Sequence, residues 1–459
     1  MSSSLSVVIL AAGFGTRMKS YTTKVLHSAG GFPLVEHVVR TALTIAPADR
    51  IVTVVGHQAD RVAAAVTPYG VKTALQDVPR GTGHALRCAR EAAPADGHLV
   101  VLYGDVPLLS EATLARLIMQ HTANNAAATV LTAVLDDPAA YGRIIRGADG
   151  GVEAIVEFKA ASDAQRAVKE INSGIYCFNA PLLWQHIDSI TTNNPAGEFY
   201  LTDMVEILRA HGHRVDGQIM ADSSELLGIN TKVELAEVDR LFRLRKATQL
   251  MLDGVTIERP ETVTIDLDVT IAADTVIEPN TRILGNTTIG ANARIGAGSV
   301  VTNSTIADGV QIEPYCVIAD TEIGEAAHVG PFARLRMHNR VGANVHIGNF
   351  VELKKTVMGD GAKANHLAYL GDSSIGAKTN IGAGTITCNY DGKLKHPTTI
   401  GAGVFVGSNS TLVAPVELED GSYIAAGSVI TDQVPTGALA IARGRQSNKD
   451  GWVAKKKGS

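Results

Sequence analysis

Aliphatic residues in the first half of the chain gather in short runs that end at glycine or other small residues. Leu5–Ala12 (LSVVILAA), Arg50–Gly56 (RIVTVVG) and His98–Gly104 (HLVVLYG) have this form, and Ala126–Leu135 and Gly174–Phe178 are two further candidates. Continuous apolar runs of this length predict strands buried on both faces, as in a parallel sheet. Between them, Pro33–Thr44, Ala59–Val66, Gly83–Ala93 and Ser110–Asn124 read as helices. The alternation predicts an α/β domain with a mostly parallel sheet and helices on both faces. Ligands of such sheets sit outside the carboxyl ends of the strands, so chemistry is sought in the residues that follow each strand.

The second half changes period. Aliphatic residues recur at every sixth position through Ile265, Ile271, Ile277, Ile283, Ile289, Ile295 and Val301, and resume at Ile306, Ile323, Val341, Ile375 and Ile400 after shifts of register. A period of six fits neither an α-helix nor a hairpin; it fits a parallel β-helix in which each hexapeptide supplies one short strand and a turn. The pattern resembles the left-handed β-helix of hexapeptide-repeat acyltransferases, and the hand follows from that resemblance. The pattern breaks at Lys354–Ser374, where a loop leaving the solenoid is expected. Thr231–Leu252, with apolar residues at helical spacing, reads as a connecting helix. The expected organisation is a nucleotide-type α/β domain over 1–230, a linker helix over 231–252, a β-helix over 253–441 and a basic, solvated tail over 442–459.

Composition narrows the function. With 459 residues, 45% hydrophobic and 19% charged, the chain is long enough for two or three domains and too apolar for global disorder. A net charge of −5 argues against nucleic acid as the main partner. No apolar run reaches the ~18 residues that a membrane span needs. Met1–Ala12 has no basic n-region, and Cys88, Cys177, Cys316 and Cys388 form no CxxC, so a cytoplasmic protein with reduced thiols is expected.

Leu10-Ala11-Ala12-Gly13-Phe14-Gly15-Thr16-Arg17-Met18 follows the first strand directly. Gly13 and Gly15 let backbone N–H groups approach phosphate oxygens, and Arg17 and Lys24 add charge for a polyphosphate. Tyr103-Gly104-Asp105 closes another strand, and an Asp beside a phosphate loop is a natural Mg²⁺ ligand. The extended string resembles the signature of nucleoside-diphosphate-sugar pyrophosphorylases, which have a Rossmann-like sheet.

Around the break in the repeat lie Arg334, Lys354, and Asn365-His366 with Tyr369. If this half transfers an acetyl group to an amine, as its resemblance to hexapeptide-repeat acyltransferases suggests, the reaction requires a base, and His366 is the candidate. Arg334 and Lys354 suit a sugar phosphate. His328 and His346, one coil apart, raise a zinc reading by analogy with γ-class carbonic anhydrases. A catalytic zinc takes three protein ligands, so a structural pair is the better account.

Further strings extend the match: Gln76 with Gly81-Thr82-Gly83-His84, Tyr141-Gly142-Arg143-Ile144, Glu157, Ile171-Asn172 and Gly228-Ile229-Asn230. Together with the hexapeptide half, they make the chain resemble the bacterial bifunctional N-acetylglucosamine-1-phosphate uridylyltransferases/glucosamine-1-phosphate acetyltransferases over nearly its whole length. The resemblance implies that Leu10, Ala11, Ala12, Gly13, Lys24, Gln76, Gly81, Thr82, Tyr103, Gly104 and Asp105 hold UTP. It assigns the sugar to Gly142, Glu157 and Asn172, and Mg²⁺ to Asp105 with Asn230. In the second domain it assigns glucosamine-1-phosphate to Arg334, Lys354, Tyr369 and Asn380. Acetyl-CoA falls to Ala383, Asn389, Tyr390, Ser408, Ala426 and Arg443. A homotrimer with shared acetyltransferase sites is implied, as is a product that feeds peptidoglycan and lipopolysaccharide precursors. The chain departs from the family at Thr23, Arg80 and Ala140, where Pro, Leu and Gly are usual. Two rival readings are a single-activity pyrophosphorylase with a structural β-helix and a non-catalytic regulatory subunit. Intact Arg17, Lys24 and Asp105 argue against the second, and the His366 constellation argues against the first.

Overall fold

A computed structural model describes residues 4–457; the first three residues and the last two of the tail lie outside the described residues. Two compact units, Met1–Phe242 and Arg243–Ser459, divide within the helix Lys232–Leu252.

In the first unit the strands Leu5–Leu10, Ile51–Val55 and His98–Tyr103 are parallel neighbours at the centre of a nine-stranded sheet. Val7, Val8, Ile9, Val52, Val54, Val100 and Val101 are all fully buried, because helices cover both faces of the sheet. The sheet order runs Val215–Ile219, Ala128–Val134, Glu170–Asn179, His98–Tyr103, Leu5–Leu10, Ile51–Val55, Lys72–Leu75. Glu170–Asn179 is antiparallel to both its neighbours and carries an irregularity between Asn172 and Tyr176. A hairpin, Arg143–Arg146 with Val152–Val156, attaches to that strand. The helices between the first strands are Leu34–Ile45, Ala59–Val66, Thr82–Cys88 and Glu111–Ala123, the last capped by the Ser110 side chain accepting from Thr113 N, and Ala180–His186 and Asp203–Ala210 follow later in the chain.

One buried polar group ties this unit's stability to pH. His121 is fully buried, with Nδ1 3.0 Å from Thr129 Oγ1 and Nε2 3.1 Å from His98 Nδ1. Burial, then the neighbouring His98, push its pKa from 6.5 down to about 4, against a smaller opposing pull from Asp216. Between those two values the unfolded chain binds more protons than the folded one, so stability falls as pH drops through the window. The loss accumulates to about 3 kcal/mol by the lower end. The urea midpoint of this unit therefore decreases from pH 6.5 to pH 4, and His121→Gln flattens that slope. An unchanged slope in the variant assigns the acid sensitivity to other groups.

The second unit is a left-handed parallel β-helix. Its described strands form three parallel sheets of eleven, ten and nine strands; nine complete coils each contribute one strand to each sheet, and the coils after them are incomplete. The sixth-position aliphatics point inward: Ile277, Ile283, Ile295, Val301 and Ile318 are fully buried in one continuous core. Small hydroxyl residues stand before them and stitch one coil to the next. Thr275 Oγ1, for example, donates to Gly290 O (2.7 Å) and accepts from Ala293 N (3.1 Å). Asn and Asp occupy many corners in the left-handed conformation, among them Asn280, Asn292, Asn303 and Asp320.

The expected loop at Lys354–Ser374 does not exist. The coil continues through Glu352–Lys354, Val357–Met358, Lys363–His366, Tyr369–Gly371 and Ser373–Ile375. Met358, Ala364 and Leu370 take the inward positions, at 1%, 0% and 0% exposure. Met and Ala do not stand out in an aliphatic count, which is why the period looked broken. The loop that does leave the solenoid lies between the strands Ile386–Cys388 and Thr398–Ile400. His328 and His346 are cross-strand neighbours with ring centroids 4.8 Å apart. His328 Nε2 contacts Glu313 Oε1 at 3.2 Å. Among the described residues no group of three or more His, Cys, Asp or Glu side chains is placed to hold a metal.

Candidate active sites

In the first unit the ends of three adjacent strands open into a cleft of about 430 Å³. Ala11 N donates to Val54 O (2.9 Å) and Gly104 N to Leu10 O (3.0 Å), which holds Leu10–Gly13 across the strand ends. Gly13 faces open space within 4 Å on its Cβ side, room for a ligand against the backbone. Gly15 has φ 63°, and a Cβ there would fall 2.5 Å from Lys24 Cβ. Only glycine permits that approach, which brings Lys24 under the loop.

Lys24 Nζ donates to Asp105 Oδ2 and to Asn230 Oδ1 (3.1 Å), and Arg17 Nη2 also donates to Asn230 Oδ1 (2.7 Å). Residues scattered from position 17 to position 230 thus meet at one point. Asp105 and Asn230 offer two hard oxygen donors already facing cationic groups. That donor set fits Mg²⁺, which takes one or two protein oxygens together with substrate phosphates.

The departure at Thr23 has a structural account. Thr23 N–H donates to Gln58 Oε1 (3.2 Å) and Thr23 Oγ1 donates to Gly13 O (3.3 Å), two bonds that a proline could not make. On the other wall, buried Gln76 donates through Nε2 to Gly81 O (3.2 Å), and Thr82 Oγ1 accepts from Leu201 N (3.1 Å). Arg80 contributes its carbonyl to Phe199 N (2.8 Å), so its side chain is not what fixes this loop. Ala140 is exposed.

Gly142, Glu157 and Asn172 are also brought together. Asn172 N donates to Gly142 O (2.9 Å), and a Cβ on Gly142 would stand 3.6 Å from Glu157 Oε1. Glu157 is raised above its ordinary pKa by burial and by Asp203, and Asp203 is itself pushed up to about 6 by burial and Glu206. Asp203 and Glu198, the latter on the rim of the nucleotide cleft, were not singled out from sequence. Acidic residues in a polar stretch carry no local mark of burial.

In the β-helix the expected residues fall into two groups. His366 ends the strand Lys363–His366, and Ala383, Ser408 and Ala426 follow it down one corner at successive coils. Backbone bonds join them: Gly384 N to His366 O (3.3 Å), Asn409 N to Ala383 O (2.7 Å) and Gly427 N to Ser408 O (2.8 Å). Arg443 Nη1 closes the column on Ala426 O (2.8 Å). The second group surrounds Lys354, which is 4% exposed. Its ammonium reaches Asp372 Oδ2 (3.2 Å), which also accepts from Asn389 Nδ2 (2.5 Å), and Asn389 lies 3.5 Å from the Tyr369 hydroxyl. The Asp372 carboxylate beside Lys354 holds its ammonium in the charged form, whereas the neighbouring Lys354 lowers the pKa of Lys395.

Arg334 shares a ladder with Glu352 and Tyr369, and Asn380 pairs with Lys363 on the neighbouring sheet. Tyr390 is exposed on the extruded loop. Asp372 and Lys395 belong to the Lys354 group and were not expected as contacts; a lysine in a Gly-containing loop just after Asn389-Tyr390 was the only available signal. Lys354 ends a strand of the ten-stranded sheet, whereas His366 ends a strand of the eleven-stranded sheet, so the two groups stand at different strand ends of the coil.

A nucleotidyltransferase sheet followed by a hexapeptide-repeat prism defines two transferases in one chain. Residues 7–171 match the MobA-like NTP transferase domain, residues 261–339 the GMPPB C-terminal domain and residues 397–432 the hexapeptide repeat of succinyl-transferase. The chain is 56% identical over 454 residues to "Bifunctional protein GlmU" of Solibacter usitatus, covering 99% of this chain and 97% of that one. Proteins of the same name from Koribacter versatilis (49%; 98% and 97% covered) and Acetivibrio thermocellus (48%; 98% and 98% covered) match over the same extent. The chain belongs to the bifunctional GlmU family and is a uridylyltransferase and an acetyltransferase.

Proposed function

We propose that the chain makes UDP-N-acetylglucosamine in two steps, acetylating glucosamine-1-phosphate from acetyl-CoA in the β-helix and then transferring uridylyl from UTP in the α/β unit. The observation that carries this reading is the convergence of Arg17, Lys24, Asp105 and Asn230 at the mouth of the Gly13 loop. In the first unit the uridine nucleotide lies along Leu10–Gly13, Gln76, Gly81 and Thr82, and the sugar lies against Gly142, Glu157 and Asn172. The sugar phosphate oxygen attacks the α-phosphorus, and pyrophosphate leaves. Arg17 and Lys24 neutralise charge on the phosphates, and the loop aligns the reacting groups. Mg²⁺, held by Asp105 and Asn230, supplies Lewis-acid charge neutralisation to the phosphates when bound.

In the β-helix, Lys354 and Arg334 hold the phosphate of glucosamine-1-phosphate, and Tyr369 and Asn380 hold its sugar. The amine attacks the thioester carbonyl, His366 takes its proton, and CoA departs along the Ala383–Ser408–Ala426 corner toward Arg443, with Asn389 and Tyr390 on the adjoining strand end. The separation of the His366 column from the Lys354 group supports sites completed by a second copy. So does an exposed aromatic ladder beside them, Tyr315, Phe332 and Phe350, with successive centroids 5.4 Å apart. We place the protein in the cytoplasm as a homotrimer, with residues 1–230 as the uridylyltransferase domain, 231–252 as the linker and 253–441 as the acetyltransferase domain.

Incubation with glucosamine-1-phosphate, acetyl-CoA, UTP and Mg²⁺ tests the reading: both CoA and pyrophosphate accumulate, and pyrophosphate release depends on acetyl-CoA. Pyrophosphate released without CoA establishes the single-activity alternative. Light scattering tests the assembly. The full chain is trimeric and a fragment spanning 1–242 is monomeric, because the oligomer contacts are placed in the β-helix; a trimeric fragment puts them elsewhere.

A further inference from the structure

The strands of the sheet that carries His366 are short. In that eleven-stranded sheet, only His346–Asn349 and Lys363–His366 extend to four residues among the described strands. The extension adds one more ladder pair, Asn349 opposite His366. There His366 Nδ1 lies 3.0 Å from Asn349 Oδ1.

The backbone is built to bring this pair together. A Cβ on Gly348 would fall 1.8 Å from the Asn365 carbonyl oxygen, so no other residue lets the second strand close at that point. The chain then turns sharply on both coils, at Phe350 (φ 56°) and Leu367 (φ 51°), and Leu367 N donates to Asn349 O (3.0 Å). Bulky residues in the left-handed region are uncommon and persist where the surroundings enforce them. The other titratable groups electrostatically linked to this part of the sheet are His346 and Lys363, both on the same two strands, and His328 one coil earlier. None of them replaces the Asn349 bond.

We propose that Asn349 is a positioning residue for acetyl transfer, which rests on the reading of His366 as the base. The Asn349 carbonyl accepts the Nδ1–H of neutral His366, so the lone pair lies on Nε2 and faces the acceptor amine. As the N–C bond to the acetyl group forms and the C–S bond breaks, the amine proton passes to Nε2 and the sulfur leaves as CoA. An imidazole held in the other tautomer presents an N–H to the amine and cannot take that proton.

The test compares Asn349→Leu and Asn349→Asp in the full-length enzyme. Uridylyl transfer and oligomeric state serve as controls for folding. Asn349→Leu lowers kcat for acetyl transfer by at least about tenfold, the low end of what is lost when a partner that orients a functional histidine is removed. KM for glucosamine-1-phosphate and for acetyl-CoA stays unchanged. Asn349→Asp still accepts the Nδ1 proton, so it retains activity; its charge favours the imidazolium and moves the acidic limb of the kcat–pH profile to higher pH. Asn349→Leu adds nothing to the loss already caused by His366→Ala. A normal kcat in Asn349→Leu, or an acidic limb unmoved in Asn349→Asp, overturns the proposal while a slow His366→Ala leaves the base assignment standing. A fully active His366→Ala overturns both.

Discussion

Replacing His366 with alanine lowers acetyl transfer by about 10²–10⁴-fold, the usual contribution of a general base. Conversion of supplied N-acetylglucosamine-1-phosphate to the UDP-sugar proceeds at the normal rate, because that chemistry belongs to the other compact unit. The size of the effect follows from the reaction. The acceptor amine must shed a proton as it attacks the thioester, and His366 heads the corner column assigned to acetyl-CoA. The rival acyl carrier is Cys388, partly buried at the end of the strand Ile386–Cys388, next to Asn389. A thiol route goes through an acetylated protein and shows ping-pong kinetics. Direct transfer shows a ternary complex and leaves the protein unlabelled. Labelled acetyl on Cys388, or a fully active His366→Ala enzyme, would falsify the direct route.

Asp105→Ala abolishes Mg²⁺-dependent uridylyl transfer, a loss of at least about 10²–10³-fold by comparison with removal of a single charge-stabilising group. Acetyl transfer is spared. Asp105 sits at the end of the strand His98–Tyr103, in the turn that places it against Lys24 and Asn230. Its loss removes the carboxylate from the oxygen pair and leaves Lys24 bonded to Asn230 alone. Asp105→Asn keeps the shape and loses the charge, so a comparable defect in that variant identifies the charge as the cause. Pyrophosphate release at the parent rate in Asp105→Ala takes Asp105 out of the metal site.

Local pattern carried much of this protein. The runs Leu5–Ala12 and His98–Gly104 became central strands because a segment buried on both faces must be apolar throughout, whatever its neighbours are. Most of the hexapeptide phase was legible for a related reason: each inward residue meets its counterpart in the next coil, so one six-residue rule repeats. The Gly13–Gly15 loop was legible as a glycine pair directly after the first strand, and at Gly15 the close approach of Lys24 explains why glycine stands there.

What the pattern left open depended on partners distant in the chain. The direction of Glu170–Asn179 is set by pairing with His98–Tyr103 and Ala128–Val134, not by its own residues. The coil at Lys354–Ser374 stayed hidden because Met358 and Ala364 fill inward positions as well as Ile does once the adjacent coils define the space. Asp203, Asp372, Lys395 and Asn349 are ordinary polar residues in sequence. Stacking Asn349 on His366, 17 residues further along, turns an unremarked amide into a partner of the catalytic base candidate. Sequence by itself determined the two architectures and the glycine loop after the first strand, since each rests on local sterics and periodic burial. Only the tertiary structure decided which polar side chains meet, because hydrogen bonds and charge pairs depend on distances that the folding of separate segments creates.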